Sequence, residues 1–450
     1  MKKSSYYILY ILLVAFVQPA MSQNNDWHKF IKPIEEYVTK DYKKMYREAG
    51  GNIKHPFLVP GMAYSDQLWD WDSYYASIAI RQILTNKKDK KELEIFEQYE
   101  KGCVLNFLDK TSIDGWIPIV IQKGEITGEL MSGFKKPKDL YSENMHKPML
   151  AQQTAYLLKT YKDTDWLKEE FSKLQFFIGN YITYRRNEAT GLYVWTTDHY
   201  IGVDNDPSTF FRPPGSSASI YLNSFMYKEL LAMVYLADKL GYSERVTYYK
   251  KEADNLLQAI QEHCWDERDE SFYSVDVNLM PVEKDKWVLH SGSPREYDCL
   301  IQRIDYWTNF LPLWAGIATP EQAKVIVEKH LLDENRFNAP YGIRTLSKME
   351  KMYNLKASGN PSNWQGPIWG ISNYLVWRGL VNYGFDEEAK EIAIKTIVLF
   401  GKDLEESNTL HEYYDPETGK PILHPEFQNW NFLVLNMIAW LEGGEVVSGF

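Results

Sequence analysis

Four-residue joints between helical stretches constrain this chain more than any other feature. Leu240-Gly241-Tyr242-Ser243 and Tyr383-Gly384-Phe385-Asp386 each set a Gly where a helix closes in the left-handed conformation, with an N-cap residue two positions on. Thr319-Pro320-Glu321-Gln322 reads as a capping box with Pro at the first helical position. Joints this short turn the chain back on itself and make antiparallel helical hairpins. About twelve helical stretches follow the N-terminal segment, near residues 26–48, 72–85, 89–109, 145–161, 164–186, 217–240, 243–263, 302–316, 319–331, 363–383, 386–403 and 428–442.

Their faces differ in kind. QNWNFLVLNMIAWL at 428–441 is apolar nearly all round, which requires burial on every side. The helix from Asp386 instead puts Ala389, Ile392, Ala393, Thr396 and Ile397 on one face and Glu387, Lys390, Glu391 and Lys395 largely elsewhere. The helix after Ser219 carries one stripe, Met226, Leu230, Met233, Ala237 and Leu240. Fully buried and half-buried helices in alternation form two concentric rings. The expected fold is therefore all-α, an (α/α)6 barrel of six hairpins filling residues 23–450 as one domain, with long loops and a few short strands in the excursion 264–300.

Residues 1–22 read as a signal peptide. Lys2 and Lys3 precede an apolar run from Tyr6 to Val17 and the small residues of Ala20-Met21-Ser22, and about 12 apolar residues are too few to span a bilayer. Export to the periplasm follows, with no membrane attachment after cleavage. Removing the two lysines takes the formal charge from −11 to −13, which disfavours nucleic acid and anionic membranes as partners. Cys103, Cys264 and Cys299 are too few and too scattered for a disulfide framework or a zinc site, and read as buried thiols with one pairing open to an oxidising compartment. With 32 Tyr and 15 Trp the chain has more aromatic rings than a core needs, and rings stack on sugar faces. That favours a carbohydrate ligand only as far as dense core packing does.

Four long connections hold the polar and aromatic residues: 60–73, 114–148, 198–215 and 406–429. In a barrel of hairpins the loops leading into alternate helices share one face. It would gather Trp69, Asp70, Trp71, Asp72, Asp204, Asp206, Trp364, Trp369 and Glu412. Asp204 and Asp206, in a loop dense in Gly and Pro, suit turn formation or acid catalysis, and Glu412 suits a solvated loop or a catalytic base. Asp266, Asp269 and Glu270 offer oxygens to a cation or to solvent.

The stretches LWDWDSYY, GVDNDPS, NWQGPIWGISNYL and HEYYDPETG, in this order between about Pro60 and Leu441, resemble glycoside hydrolase family 63 and, more distantly, the family 37 trehalases. The resemblance implies an (α/α)6 barrel that hydrolyses an α-glycosidic bond with inversion, most often an α-glucoside; members of similar length act on mannosylglycerate or glucosylglycerate. By position in the motifs, Asp204 corresponds to the general acid and Glu412 to the general base. One carboxyl protonates the leaving oxygen while the other activates water from the opposite face of the ring, at a separation of roughly 6.5–9.5 Å. Tyr200, Phe210 and Phe211 would desolvate the acid and keep it protonated. No metal or cofactor is needed.

The same resemblance makes Asp72 a ligand of the non-reducing sugar, beside its reading as an N-cap. Trp69, Trp71, Trp364 and Trp369 become sugar platforms or barrel core. Asn144, His146 and Lys147, in NMHKPMLAQ, become a sugar-contacting segment or a polar helix start, and Arg344 binds an anionic substrate or makes an ion pair. Trehalases carry arginines where Ala63 and Met145 lie, which argues against trehalose, and Ser208 stands where the family commonly has Arg. The rival of another class is a catalytically silent sugar-binding protein, which needs no pair of carboxyls facing its pocket.

Overall fold

The computed structural model describes residues 26–124, 143–210, 212–280, 295–356 and 360–450. Residues 1–22, expected to be a signal peptide, and Phe211 lie outside them. Twelve α-helices occur among the described residues: α1 His28–Asp41, α2 Asp70–Lys87, α3 Lys90–Leu108, α4 Leu150–Tyr161, α5 Asp165–Tyr184, α6 Ile220–Lys239, α7 Ser243–His263, α8 Leu311–Ala315, α9 Pro320–Ile326, α10 Gly370–Asn382, α11 Asp386–Ser407 and α12 Val434–Leu441. The even-numbered helices form the inner ring: α4 packs on α6, α6 on α8, α8 on α10, α10 on α12, and α12 back on α2. Outside them α3 packs on α2, α7 on α6 and α11 on α10. This is the expected (α/α)6 barrel. No described helix is long and apolar enough to cross a membrane.

Burial separates the rings as the side-chain patterns require. Every residue of α2 from Asp70 to Leu84 is buried, whereas α7 buries only Tyr249, Ala253, Leu256, Ala259 and Ile260. The Gly joints close as Schellman turns. Gly241 and Gly384 take φ of 77° and 75°, and the amides of Tyr242 and Phe385 donate back to the carbonyls of Ala237 and Leu380 at 2.9 and 3.0 Å. Ser243 and Asp386, expected as N-caps, are instead the first helical residues, and neither helix has a side-chain cap at its start. Thr319 and Gln322 do form the reciprocal capping box.

Several inner helices start later than the periodicity predicts. Pro148 and Pro367 lack an amide hydrogen and disfavour helix at the residue before them, and α4 begins at Leu150 and α10 at Gly370. Of the residues released from helix, Lys147, Trp364 and Trp369 become pocket wall. The open start of α4 is closed from α6: the buried Glu229 carboxyl accepts from the amides of Ala151 and Gln152 at 2.6 and 3.0 Å. A carboxyl at a helix N-terminus stabilises it by about 1 kcal/mol and here staples two inner helices.

The excursion after α7 contains the short strands expected. Trp265–Asp266 pairs with Ser271–Phe272, and Val275–Asp276 lies between Ser217–Ala218 and Leu300–Ile301. Asp266 and Asp269 are engaged by Arg303 and Arg268, and Glu270 by Lys329, so their oxygens are taken by cationic side chains rather than offered to a metal ion. All three cysteines are free thiols; Cys103 and Cys264 are buried and Cys299 half-buried.

Candidate active site

One cavity of about 920 Å³ opens where the loops before α2, α6, α10 and α12 meet. Trp69, Trp71, Asp72, Lys147, Asp204, Trp364, Trp369 and Glu412 all line it, so segments far apart in sequence converge there.

The α2 segment arrives as a short strand, Gln67–Trp69, paired with Val120–Gln122, and then turns into helix. Asp70 and Asp72 sit in the first helical turn, where the helix dipole favours negative charge. Asp70 faces away from the cavity. It accepts from the Lys147 ammonium and amide at 2.8 and 2.9 Å and from the Trp71 amide at 2.8 Å. Asp72 faces in, and one of its oxygens accepts from the Asn429 amide group ahead of α12. Burial pushes the Asp72 carboxyl up to about 8 against the pull of Lys147.

The acid candidate rides on the loop before α6. Gly202 has φ of 93°, and a Cβ there would lie 2.8 Å from Lys147 Cε and 2.9 Å from the Trp71 ring, so only Gly lets the loop press this close. Two residues on, Asp204 enters the cavity. Burial raises its proton affinity, offset in part by hydrogen bonds from the Ser362 hydroxyl and the Asn360 amide, the latter at 3.4 Å. Asn205 ties the loop to the opposite wall: it donates to Asn363 at 3.0 Å and accepts from the Trp364 amide at 2.7 Å. Asp206 lies outside the cavity wall; it is fully buried and accepts from the Ser208 amide, as a turn-forming aspartate does.

Glu412 projects from the strand His411–Tyr414, which pairs with Ile368–Trp369 on one side and Pro421–Pro425 on the other. The Tyr64 hydroxyl reaches both its oxygens at 3.2 Å. Burial raises Glu412 to about 8, opposed by Tyr64 and reinforced by the charges of Asp72 and Asp204. Asp72, Asp204 and Glu412 thus face one cavity, and each is more readily protonated there than in water.

Trp364 and Trp369 stack on each other with centroids 3.9 Å apart and planes within 8°, Trp369 continues onto Tyr413 at 4.8 Å, and Trp71 meets Trp364 and Trp430. Trp71, Trp364 and Trp369 are each at most 3% exposed, so they serve as core and show the cavity mainly their edges. Trp69 is half-buried, held through its indole N–H to Gln67 at 2.8 Å.

Beside Asp70 and Asp206, three more residues named from sequence lie outside the cavity wall. Asn144 clamps the backbone ahead of the acid loop, donating to the carbonyls of Thr197 and His199 and accepting from the Thr196 amide. His146 is buried between Phe107 and Phe177, and that burial lowers its pKa to about 4, leaving a neutral core ring. Arg344, 2% exposed, is held by Glu417 at 2.6 Å and by the carbonyls of Glu334 and Arg336. It makes the ion pair, not a substrate contact. Conversely Tyr64, Asn360, Ser362 and Asn429 carry no sequence signal of their own; only their places in or beside the loop stretches mark them.

A cavity over an (α/α)6 barrel, walled by tryptophans and entered by carboxyls from separate loops, defines a glycoside hydrolase, and it has the facing carboxyls that a silent sugar-binding protein does not need. Residues 65–431 match the family profile described as the mannosylglycerate hydrolase MGH1-like glycoside hydrolase domain. The chain belongs to glycoside hydrolase family 63. A probable mannosyl-oligosaccharide glucosidase of Schizosaccharomyces pombe is 25% identical over 65% of this chain and 34% of its own length. A probable trehalase of Eremothecium gossypii is 30% identical over 45% of this chain and 26% of its own, so the chain spans about a quarter to a third of these two relatives. The mannosylglycerate hydrolase of Thermus thermophilus is 22% identical over 82% of this chain and 93% of its own. In fold, the chain is similar to a Thermus thermophilus mannosylglycerate hydrolase solved with glucose, at a TM-score of 0.63 and 18% identity over 90% of this chain and 99% of that one. Neutral trehalase of Saccharomyces cerevisiae follows at 0.59 and 17%, over 89% and 79%.

Proposed function

We propose that this enzyme is an exo-acting, inverting α-glycosidase, and specifically an α-glucosidase, with Asp204 as general acid and Glu412 as general base. The observation that carries the reading is that these two carboxyls reach one cavity from separate loops, each with its own hydrogen-bond partners, and that the charge of Asp204 raises the proton affinity of Glu412. Burial raises the proton affinity of both carboxyls, so a proton is available to the acid. In the productive form the proton sits on Asp204. It passes to the glycosidic oxygen as the bond to the anomeric carbon breaks. Glu412 takes a proton from the water that forms the new bond from the opposite face. Tyr64, donating to both Glu412 oxygens, orients the base. Asp72, its carboxyl held by Asn429, takes hydroxyls of the non-reducing sugar.

Charge supports a neutral aglycone. Among the described lining residues Asp72, Glu143, Asp198, Asp204 and Glu412 are acidic, and Lys147 is already paired with Asp70. The described lining thus offers no unpaired Lys or Arg to hold a glycerate carboxylate. The second reading, a glucosyl- or mannosylglycerate hydrolase, draws on the near full-length match to the Thermus hydrolase. The N-terminal segment supports export to the periplasm. Turnover of a panel of α-glucosides, α-mannosides, trehalose and both glycosylglycerates tests the assignment: kcat/KM highest on a neutral α-glucoside supports it, and highest on a glycosylglycerate replaces it with the second reading.

A further inference from the structure

The sheet that carries Glu412 loses its register at that residue. His411 pairs with Pro425 and Tyr413 with Ile422, so Glu412 lies opposite both Leu423 and His424, and Leu423 adopts a left-handed φ of 60°. On the other side the ladder reaches only Tyr413 and Tyr414. Irregular ladders of this kind aim a side chain, but they leave its backbone without regular support.

The support comes from behind the sheet. Asp403, on α11 and 1% exposed, accepts from the His411 amide at 3.2 Å, lies 3.0 Å from His411 Nδ1, and accepts from the Tyr414 hydroxyl at 2.9 Å. The Ser407 hydroxyl donates to its other oxygen at 2.8 Å. One buried carboxylate therefore grips the residues on both sides of Glu412. Hydrogen bonds to an ionised acceptor are about twice as strong as neutral ones, and four of them on one side chain give a rigid anchor. We infer that Asp403 is a positioning residue for the reaction: through His411 and Tyr414 it fixes the height and direction of the Glu412 carboxyl in the cavity, without touching substrate.

The inference rests on Glu412 being the base, and its test separates the two claims. The groups facing Glu412 are Tyr64, Asp72 and Asp204, and those facing Asp403 are His411 and Tyr414. Asp403→Asn keeps the shape but turns one acceptor oxygen into a donor. A misplacement of about 1 Å costs on the order of 100-fold in rate, so kcat should fall by about that factor with KM nearly unchanged. The pH limb belonging to Glu412 should also move to lower pH, because the displaced carboxyl is better hydrated. Tyr414→Phe, which keeps its ring against Phe400, removes one grip and should lower kcat by about 3- to 10-fold with the melting temperature nearly preserved. Wild-type kcat and an unmoved limb in a folded Asp403→Asn, or wild-type kcat in Tyr414→Phe, would overturn the positioning role. Full activity in Glu412→Gln would instead overturn the base assignment itself.

Discussion

The Tyr413 hydroxyl donates to the Pro361 carbonyl at 2.7 Å, and this bond joins the two halves of the proposed catalytic pair. Tyr413 follows Glu412 in the chain, while Pro361 lies between Asn360 and Ser362, the residues that hold Asp204. One short path through side chain and backbone thus links the proposed acid and base. Tyr413→Phe leaves both carboxyls in place and cuts that path. It should lower kcat by roughly 10-fold while KM changes little, as loss of a positioning bond does. Steady-state kinetics on an aryl α-glucoside checks this.

Glu412 makes the protein less stable as pH rises. Its folded pKa, about 8, lies above the ordinary value of 4.5, so the folded state holds its proton more tightly than the unfolded chain. The stability this confers is fully present below about pH 4.5 and is lost as pH climbs to 8. Glu412→Gln does not titrate and keeps that stability. Its melting temperature should match wild type at pH 4.5 and exceed it at pH 8, by roughly 1 °C for each kcal/mol retained in a chain of this size. Differential scanning fluorimetry across pH 4–9 reads this directly, and a constant offset would show that the carboxyl titrates at its ordinary value.

Arg344→Met should cost stability and spare specificity. The change strips Glu417 and two carbonyls of their buried partner, a loss of about 1–3 kcal/mol, yet removes nothing from the cavity. KM values for neutral and anionic α-glycosides should keep their ratio. A selective rise for anionic substrates would return Arg344 to the aglycone site.

Gly202→Ala should disable the acid loop. The added methyl meets Trp71 and Lys147 at a backbone conformation that L side chains rarely adopt, at a cost of about 1–3 kcal/mol. Asp204 is displaced with the loop, so kcat/KM should drop at least 10-fold, together with a lower melting temperature.

The barrel was legible because its signals are local. Gly241 and Gly384 mark hairpin turns whatever surrounds them, and twelve helices follow from periodicity alone. Asp204, Glu412 and Asp72 were legible through ordered motifs, and all three face the cavity. Direction was not legible: Asn144, His146 and Lys147 are near neighbours in one stretch, yet only Lys147 borders the cavity, since its orientation depends on Asp70 and Gly202. Tyr64 and Asn429 meet Glu412 and Asp72 across more than 340 residues of chain, a distance at which a lone Tyr or Asn carries no pattern. Ser243 and Asp386 failed as caps because the Schellman turns before them already fix the chain.

The most direct test of the paired-carboxyl mechanism is the anomer first released from an α-glucoside, followed by proton NMR before mutarotation, with Asp204→Asn and Glu412→Gln alongside. The arrangement predicts β-glucose from wild type and loss of turnover in both variants. Release of α-glucose, or full activity in either variant, would contradict it.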